Sequence, residues 1–288
     1  MTSKIRFVTD SASDIPEELF RKWDIVVVPC FVNYGGESYA DDGVELVRGD
    51  YYAKLGEMEE TPTTAAMPPA VAVEHIRPLL DEADHIIILT VPAKLSAIYN
   101  SMRLAVEQLK LPQDRSTLID SGSVSLGLAF QVLIGAEVAS QTGDVQQTID
   151  AIQRARDNTR VYATIGSIEF LRRSGRVGWA KAGIAGLLNI KPVVEVIDGE
   201  VNATARVRTF NRALDKMVEL AREQSPLDRL GLMHIHNLEG MEYVKTQLAD
   251  IMPPESHIIT GVIGPTVGTH IGPGSVGLVT VRQDGEAT

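Results

Sequence analysis

A single cysteine, Cys30, stands among the 288 residues, which excludes an intrachain disulfide framework and fits a reducing compartment. It falls in the apolar run Ile25 to Val32, where a thiol is a small buried side chain and not a nucleophile. Positive charge is short as well: 27 Lys and Arg stand against 38 Asp and Glu, a net charge of −11 with a pI near 5.1. With no domain-wide basic field to meet phosphates, nucleic acid is set aside as a partner, and tight binding to anionic lipid is disfavoured. No apolar run approaches the ~20 residues of a membrane-spanning helix, and the segment MTSKIRFVTD carries no signal-peptide core. These absences predict a cytoplasmic protein.

Local catalytic signatures are missing too. The chain contains neither the nucleophile elbow G-x-S-x-G nor a P-loop lysine motif. Gly272, Gly274 and Gly277 do fit G-x-G-x-x-G, but the apolar run Leu278 to Val281 follows where a helix should open, so a dinucleotide site is rejected and no cofactor is expected. His234 and His236 share one face of a strand, yet no Cys, Asp or Glu joins them at familiar ligand spacing, which reads as two ordinary histidines and no metal. Asp10 and Asp14 are strand-end acids beside serines. They fit caps and turns, or a Mg²⁺ site shared with His270 in an enzyme acting on a small phosphorylated or acidic metabolite.

What is present is an α/β pattern. Ile5 to Thr9, Ile25 to Val32, His85 to Thr90 and Ser116 to Ile119 read as strands, and Val44 to Glu57, Ala70 to Leu80, Ile98 to Leu109, Val124 to Ser140 and Gln146 to Asn158 as helices. Such alternation predicts an N-terminal lobe, residues 1–158, with a parallel sheet covered by helices on both faces and a ligand crevice at the strands' C-terminal ends. Residues 159–288 form a second α/β lobe with a hairpin turned at Asp198-Gly199. A small-residue helix is expected over Ala180 to Leu188, and a loop over Asn33 to Gly43.

Three stretches suit a ligand. Gly261 to Gly277 reads as a shaped loop of glycines and prolines whose one titratable side chain, His270, faces an anion or lies exposed in a turn. Between Thr61 and Pro69, prolines keep the chain out of a helix interior, leaving the hydroxyls of Thr61, Thr63 and Thr64 for caps or for a ligand. Ser96 stands near a helix N-terminus, where it caps, binds an anion, or does both.

Seven segments in order, VTDSASDIP from Val8, LSAIYNSM from Leu95, IDSGSVSLGLAF from Ile119, EFLRRSGRVG from Glu169, KPVVEVIDG from Lys191, ARVRTF from Ala205 and IGPTVGTHIGPG from Ile263, resemble the DegV family of bacterial fatty-acid-binding proteins, as one unit over about residues 4–283. The resemblance implies one long-chain fatty acid such as palmitate in a tunnel between the lobes. Its carboxylate would be held by Thr64, Ser96, Arg208 and His270, with Arg206 in place of the family's lysine and Gly268 and Thr269 in secondary positions. Where the family reads TSQPS and LSGTY, this chain has Thr64-Ala65-Ala66-Met67-Pro68 and Leu95-Ser96-Ala97-Ile98-Tyr99, departures that reshape the pocket. The resemblance further implies a non-catalytic carrier that presents its acid to a separate ATP-binding fatty-acid kinase subunit and touches the membrane transiently. Arg172, Arg173 and Arg176 fit either a docking patch for that subunit or solvated turn residues.

Overall fold

The computed structural model describes residues 3–58, 60–176 and 190–284. The N-terminal lobe is built on a parallel sheet of β1 (Ile5–Asp10), β2 (Val26–Val28), β6 (His85–Thr90) and β7 (Ser116–Asp120), in the order β2-β1-β6-β7. Every residue of β6 is buried, as its unbroken apolar run requires of an inner strand covered on both faces.

The run Ile25 to Val32 is not one strand. Pro29 has no amide to donate, and there the chain leaves the parallel sheet, β2 ending at Val28. Then β3 (Phe31–Tyr34) and β4 (Glu37–Ala40) form a hairpin across Gly35-Gly36, both with positive φ, where a loop had been expected. The third strand of this small sheet, β5 (Thr63–Ala65), lies inside the threonine-proline stretch and pairs antiparallel with β3, Val32 opposite Thr64. Helices α1 (Glu17–Lys22), α2 (Arg48–Leu55), α3 (Pro69–Ile76) and α4 (Ile98–Gln108) complete the lobe's flanks.

Helix α5 (Leu126–Thr142) is apolar around most of its circumference and buries ten residues, the pattern of a helix enclosed on all sides. It packs against β1 and β6 of the first sheet and against β8, β11 and β13 of the second. Helix α6 (Val145–Asn158), N-capped by Asp144, leads into the C-terminal lobe.

There, β8 (Thr159–Thr164), β9 (Lys191–Ile197), β10 (Glu200–Val207), β11 (Leu227–His234), β12 (Ile258–Val262) and β13 (Val276–Arg282) form a six-stranded sheet ordered β10-β9-β8-β13-β11-β12, parallel only between β11 and β12. Strand alternation divides its side chains. Tyr162, Leu232 and Leu278 pack with α8 (Phe210–Glu223) and α9 (Leu238–Gln247), whereas Val161, Met233 and Val279 join the core of the N-terminal lobe. One face of the second sheet therefore shares the apolar core of the N-terminal lobe, and the other face has a core of its own. The expected helix over Ala180 to Leu188 lies outside the described residues. No helix among the described residues is long and apolar enough to cross a membrane.

Candidate functional site

The glycine-proline stretch read as a loop contains a helix, α10 (Pro265–Ile271), with Gly264 at its N-cap and Pro265 in its first turn. Its glycines would favour an open chain, but side chains of the N-terminal lobe hold the helix. Asp14 Oδ1 accepts the Gly264 amide at 2.7 Å, and Asp41 Oδ2 accepts the Thr266 amide at 2.9 Å. The Tyr52 hydroxyl donates to the Ile263 carbonyl at 2.7 Å, and Arg48 Nη1 to the Val262 carbonyl at 2.6 Å. Tyr51 bonds Thr269 Oγ1 at 2.6 Å, and that hydroxyl itself donates to the Pro265 carbonyl. None of Arg48, Asp41, Tyr51 and Tyr52 was singled out from the sequence; their roles depend on contacts more than 200 residues apart, as in the 218-residue separation of Tyr51 and Thr269.

This scaffold brings His270 to Thr64. Nε2 stands 2.9 Å from Thr64 Oγ1, at the wall of a cavity of about 150 Å³ between the lobes. Burial and then the nearby Arg176 charge lower the His270 pKa to about 3, so the imidazole is neutral at pH 7 and presents one N–H. Ser96 lines the same cavity, and its Oγ accepts the Ile98 amide at 3.3 Å, so it caps the first turn of α4 while facing the cavity.

The other walls are mainly apolar. The C-terminal sheet contributes two rows set by its register: Val194, Ala163, Gly277 and Met233 side by side, then Val196, Val161 and Val279. Leu95, Val124, Val267 and Ile271 close it from the N-terminal lobe and α10.

Two expected carboxylate ligands are not brought here. Arg206 and Arg208 are exposed, outside the cavity lining, because β10 is the edge strand of its sheet and alternates exposed with half-buried residues. Among the described residues, the Lys or Arg side chain that lines the cavity is Arg176, just after α7 (Ile168–Ser174), its Nη1 donating to the Ser174 carbonyl at 2.6 Å. Its companions in the arginine cluster are engaged elsewhere. Arg172 and Arg173 both pair with Glu169 and hold that carboxyl down to about 2, and Arg173 also reaches Thr61 Oγ1 of the other lobe at 2.8 Å. Thr269 is turned toward Tyr51, and Gly268 is where α10 meets Tyr52: a Cβ there would stand 1.7 Å from the Tyr52 hydroxyl.

The acids considered for Mg²⁺ serve backbone amides. Asp10 accepts from Ala12 and Val91, and Asp14 from Gly264 and the Ser125 hydroxyl. Burial raises them to about 7 and about 6 respectively. Among the described residues no three His, Cys, Asp or Glu side chains converge as metal ligands would. Cys30 is buried, and burial pushes its thiol well above the ordinary value, as expected of an inert core residue.

Residues 4–283 match a family model described as "Uncharacterised protein, DegV family". A DegV domain-containing protein of Deinococcus radiodurans is 32% identical over 278 residues, spanning 95% of this chain and 97% of its own. A solved structure from Thermus thermophilus, described as fatty acid binding of a DegV family protein, superposes with a TM-score of 0.88 at 29% identity, covering 97% of this chain and all of that one. A stearic acid-binding protein of Eubacterium ventriosum has the same fold, with a TM-score of 0.84 at 23% identity over 96% of this chain and 98% of its own.

Proposed function

The chain belongs to the DegV family, and from that premise we propose that it holds one long-chain fatty acid in the cavity between its lobes, carboxylate toward Thr64, Ser96 and His270. The observation that carries this reading is the Thr64–His270 pair at 2.9 Å in the wall of an otherwise mainly apolar cavity. Two hydroxyls and a neutral imidazole give hydrogen bonds to a carboxylate without requiring a second buried charge. Arg176 takes the cationic place that Arg208 was expected to fill. The acyl chain supplies most of the affinity, about 0.8 kcal/mol per buried CH₂ and on the order of 10 kcal/mol gross for a long saturated chain. The fatty acid binding described for the Thermus thermophilus relative supports the same ligand class.

The protein is, on this reading, a carrier with no turnover of its own, and it presents the acid to a separate ATP-binding kinase subunit that forms an acyl phosphate. Exposed Arg206 and Arg208, together with Arg172 and Arg173 beside the cavity's α7 wall, belong to the face such a subunit meets. Native mass spectrometry of the purified protein, followed by denaturation, tests the ligand: one equivalent of a long-chain fatty acid is expected. Protein that stays empty after incubation with palmitate overturns the reading. Phosphorylation of the bound acid by an added kinase subunit and ATP tests presentation separately.

A further inference from the structure

A second cavity, of about 130 Å³, lies at the seam of the lobes beyond Val196, a residue that also lines the first cavity. Ser121, Gly122 and Ser123, at the end of β7, form one wall, and Arg156, Asp157, Thr159, Arg160 and the Val196–Asp198 turn form the rest. The loop is held in its own shape: Ser121 Oγ accepts the Ser123 amide at 3.1 Å, and Gly122 accepts the Gly199 amide at 2.9 Å from across the seam.

Two guanidinium groups line this small space. Arg156 is half-buried and lies against Gly122, where a Cβ would stand 3.2 Å from its Nε, yet its side chain has neither an ion pair nor a hydrogen bond among the described residues. Arg160 donates to the Asp157 and Thr159 carbonyls at 2.9 and 2.8 Å, and its nearest acid, Glu195, stands at 3.9 Å. The two aspartates at the cavity do not neutralise them. Asp157 is exposed and takes the Gln153 amide at 3.1 Å, and Asp198 is exposed in its turn. Ser123, 4% exposed, has an Oγ without a partner that packs against Gly127 of α5. Arg160 thus has an acid within ion-pair reach, whereas the Arg156 guanidinium has none among the described residues, and a tetrahedral oxyanion would accept from its planar fork.

We propose that this cavity is a binding site for a phosphate-sized oxyanion, free phosphate or the phosphoryl group of a small ester, gripped by Arg156 and Arg160 against the Ser121–Ser123 loop. Bound there, the anion ties the β7 loop and α6 of one lobe to β8 and the β9–β10 turn of the other. The site is separate from the carboxylate site and stands whether or not the first cavity takes a fatty acid.

Calorimetric titration of the whole chain with inorganic phosphate at fixed ionic strength, repeated with palmitate added, tests it. Saturable one-site binding in the millimolar range is expected, unaffected by palmitate. Arg156→Gln should weaken it by about tenfold, as for loss of a charge-assisted hydrogen bond, and Arg156→Lys by less, because the charge stays while the fork is lost. The far-ultraviolet spectrum and the melting temperature in chloride should not fall in either variant, since Arg156 makes no bond to lose. A parallel titration with phenyl phosphate separates the sources: tighter binding than phosphate identifies an ester, weaker binding the free ion. Absence of saturable binding, undiminished binding in Arg156→Gln, or competition with palmitate overturns the assignment.

Discussion

Asp14 accepts the amide of Gly264, 250 residues further along the chain, at 2.7 Å, and so fixes the start of the helix that carries His270. The same carboxylate takes the Ser125 hydroxyl and lies 3.4 Å from Arg48. Burial outweighs these partners and raises its pKa from the ordinary 3.8 to about 6. A carboxyl raised in the folded state binds a proton more tightly there than in the unfolded chain. Its contribution to stability is therefore complete below about pH 4 and lost as pH rises toward 6, by about 3 kcal/mol at most. Asp14→Asn removes that dependence. Denaturant unfolding of the two proteins from pH 4 to 8 should give a stability difference that changes up to about pH 6 and is level above it. Because Asp10, raised to about 7, titrates in both proteins, it largely cancels in the difference; a difference flat throughout would contradict the prediction.

The contact between Tyr52 and Gly268 is tight enough to test by a methyl group. Gly268→Ala would place a Cβ 1.7 Å from the Tyr52 hydroxyl and 2.6 Å from its Cζ, neither of which can yield freely because the hydroxyl bonds the Ile263 carbonyl. A loss of about 1–3 kcal/mol from overpacking is expected, with a further ~1 kcal/mol where the carbonyl loses its donor. In a Tyr52→Leu background the added methyl should cost much less. Additivity of the two changes in a double-mutant cycle would show that they do not meet.

The same helix shows where sequence reading stops. The buried β6 and α5 were legible because each pattern is local: an unbroken apolar run for a strand covered on both faces, and apolar residues on every side of a long helix. Gly35-Gly36 was a readable hairpin turn between Tyr34 and Glu37, but the run Ile25 to Val32 is apolar on both sides of Pro29, where the chain changes sheets. Thr63 to Ala65 becomes a strand only because β3 pairs with it, and Gly264 to Ile271 becomes helical only with Asp14, Asp41 and the tyrosines in place. His270, Thr64 and Ser96 could be singled out by residue type. That Arg176 and not Arg208 lines their cavity depends on where α7 ends and on β10 being an edge strand, and neither is written in a motif.

Binding should separate the polar residues by position. Thr64→Val and His270→Gln each remove a group from the pair at 2.9 Å and should weaken palmitate by about ten- to a hundredfold, the value of one hydrogen bond to a charged group. Arg176→Gln should weaken it as well. Arg208→Gln, exposed outside the cavity, should leave affinity unchanged while slowing phosphorylation by an added kinase subunit. Equilibrium competition with a fluorescent fatty acid measures all four; a loss in Arg208→Gln matching that in His270→Gln would put the carboxylate elsewhere.

His270 should be silent to pH in the range where most histidines titrate. Burial, reinforced by Arg176, lowers it from 6.5 to about 3, so in the empty protein the ring stays neutral from pH 5 to 8 and its Cε1–H resonance should not move. The unfolded chain takes up a proton near pH 6.5 that the folded state refuses until about 3, so this residue makes stability fall as pH drops through that window. His270→Gln should lessen that fall. A midpoint near 6.5 in the folded protein would mean that the ring is open to water.

Gly277 offers a test of what the cavity holds, because it leaves a gap in the wall between Ala163 and Met233. A Cβ at this position would meet Ile263 Cδ1 at 3.5 Å and Met233 Cβ at 3.6 Å, ordinary contact distances, so a side chain enters without strain. Gly277→Val should therefore fold at least as stably as the parent, since valine suits an inner strand better than glycine. Its branched side chain fills space that acyl carbons would use. Excluding about two methylenes at about 0.8 kcal/mol each weakens a long chain by about tenfold and shifts preference toward a shorter one. Gly231, in the next row of the sheet, is the control: a Cβ there would stand 2.8 Å from Leu126 Cδ1, away from the cavity lining. Gly231→Ala should lower the melting temperature without changing chain-length preference. A Gly277→Val protein with the parent's chain-length profile would show that the acyl group does not run along this face of the sheet.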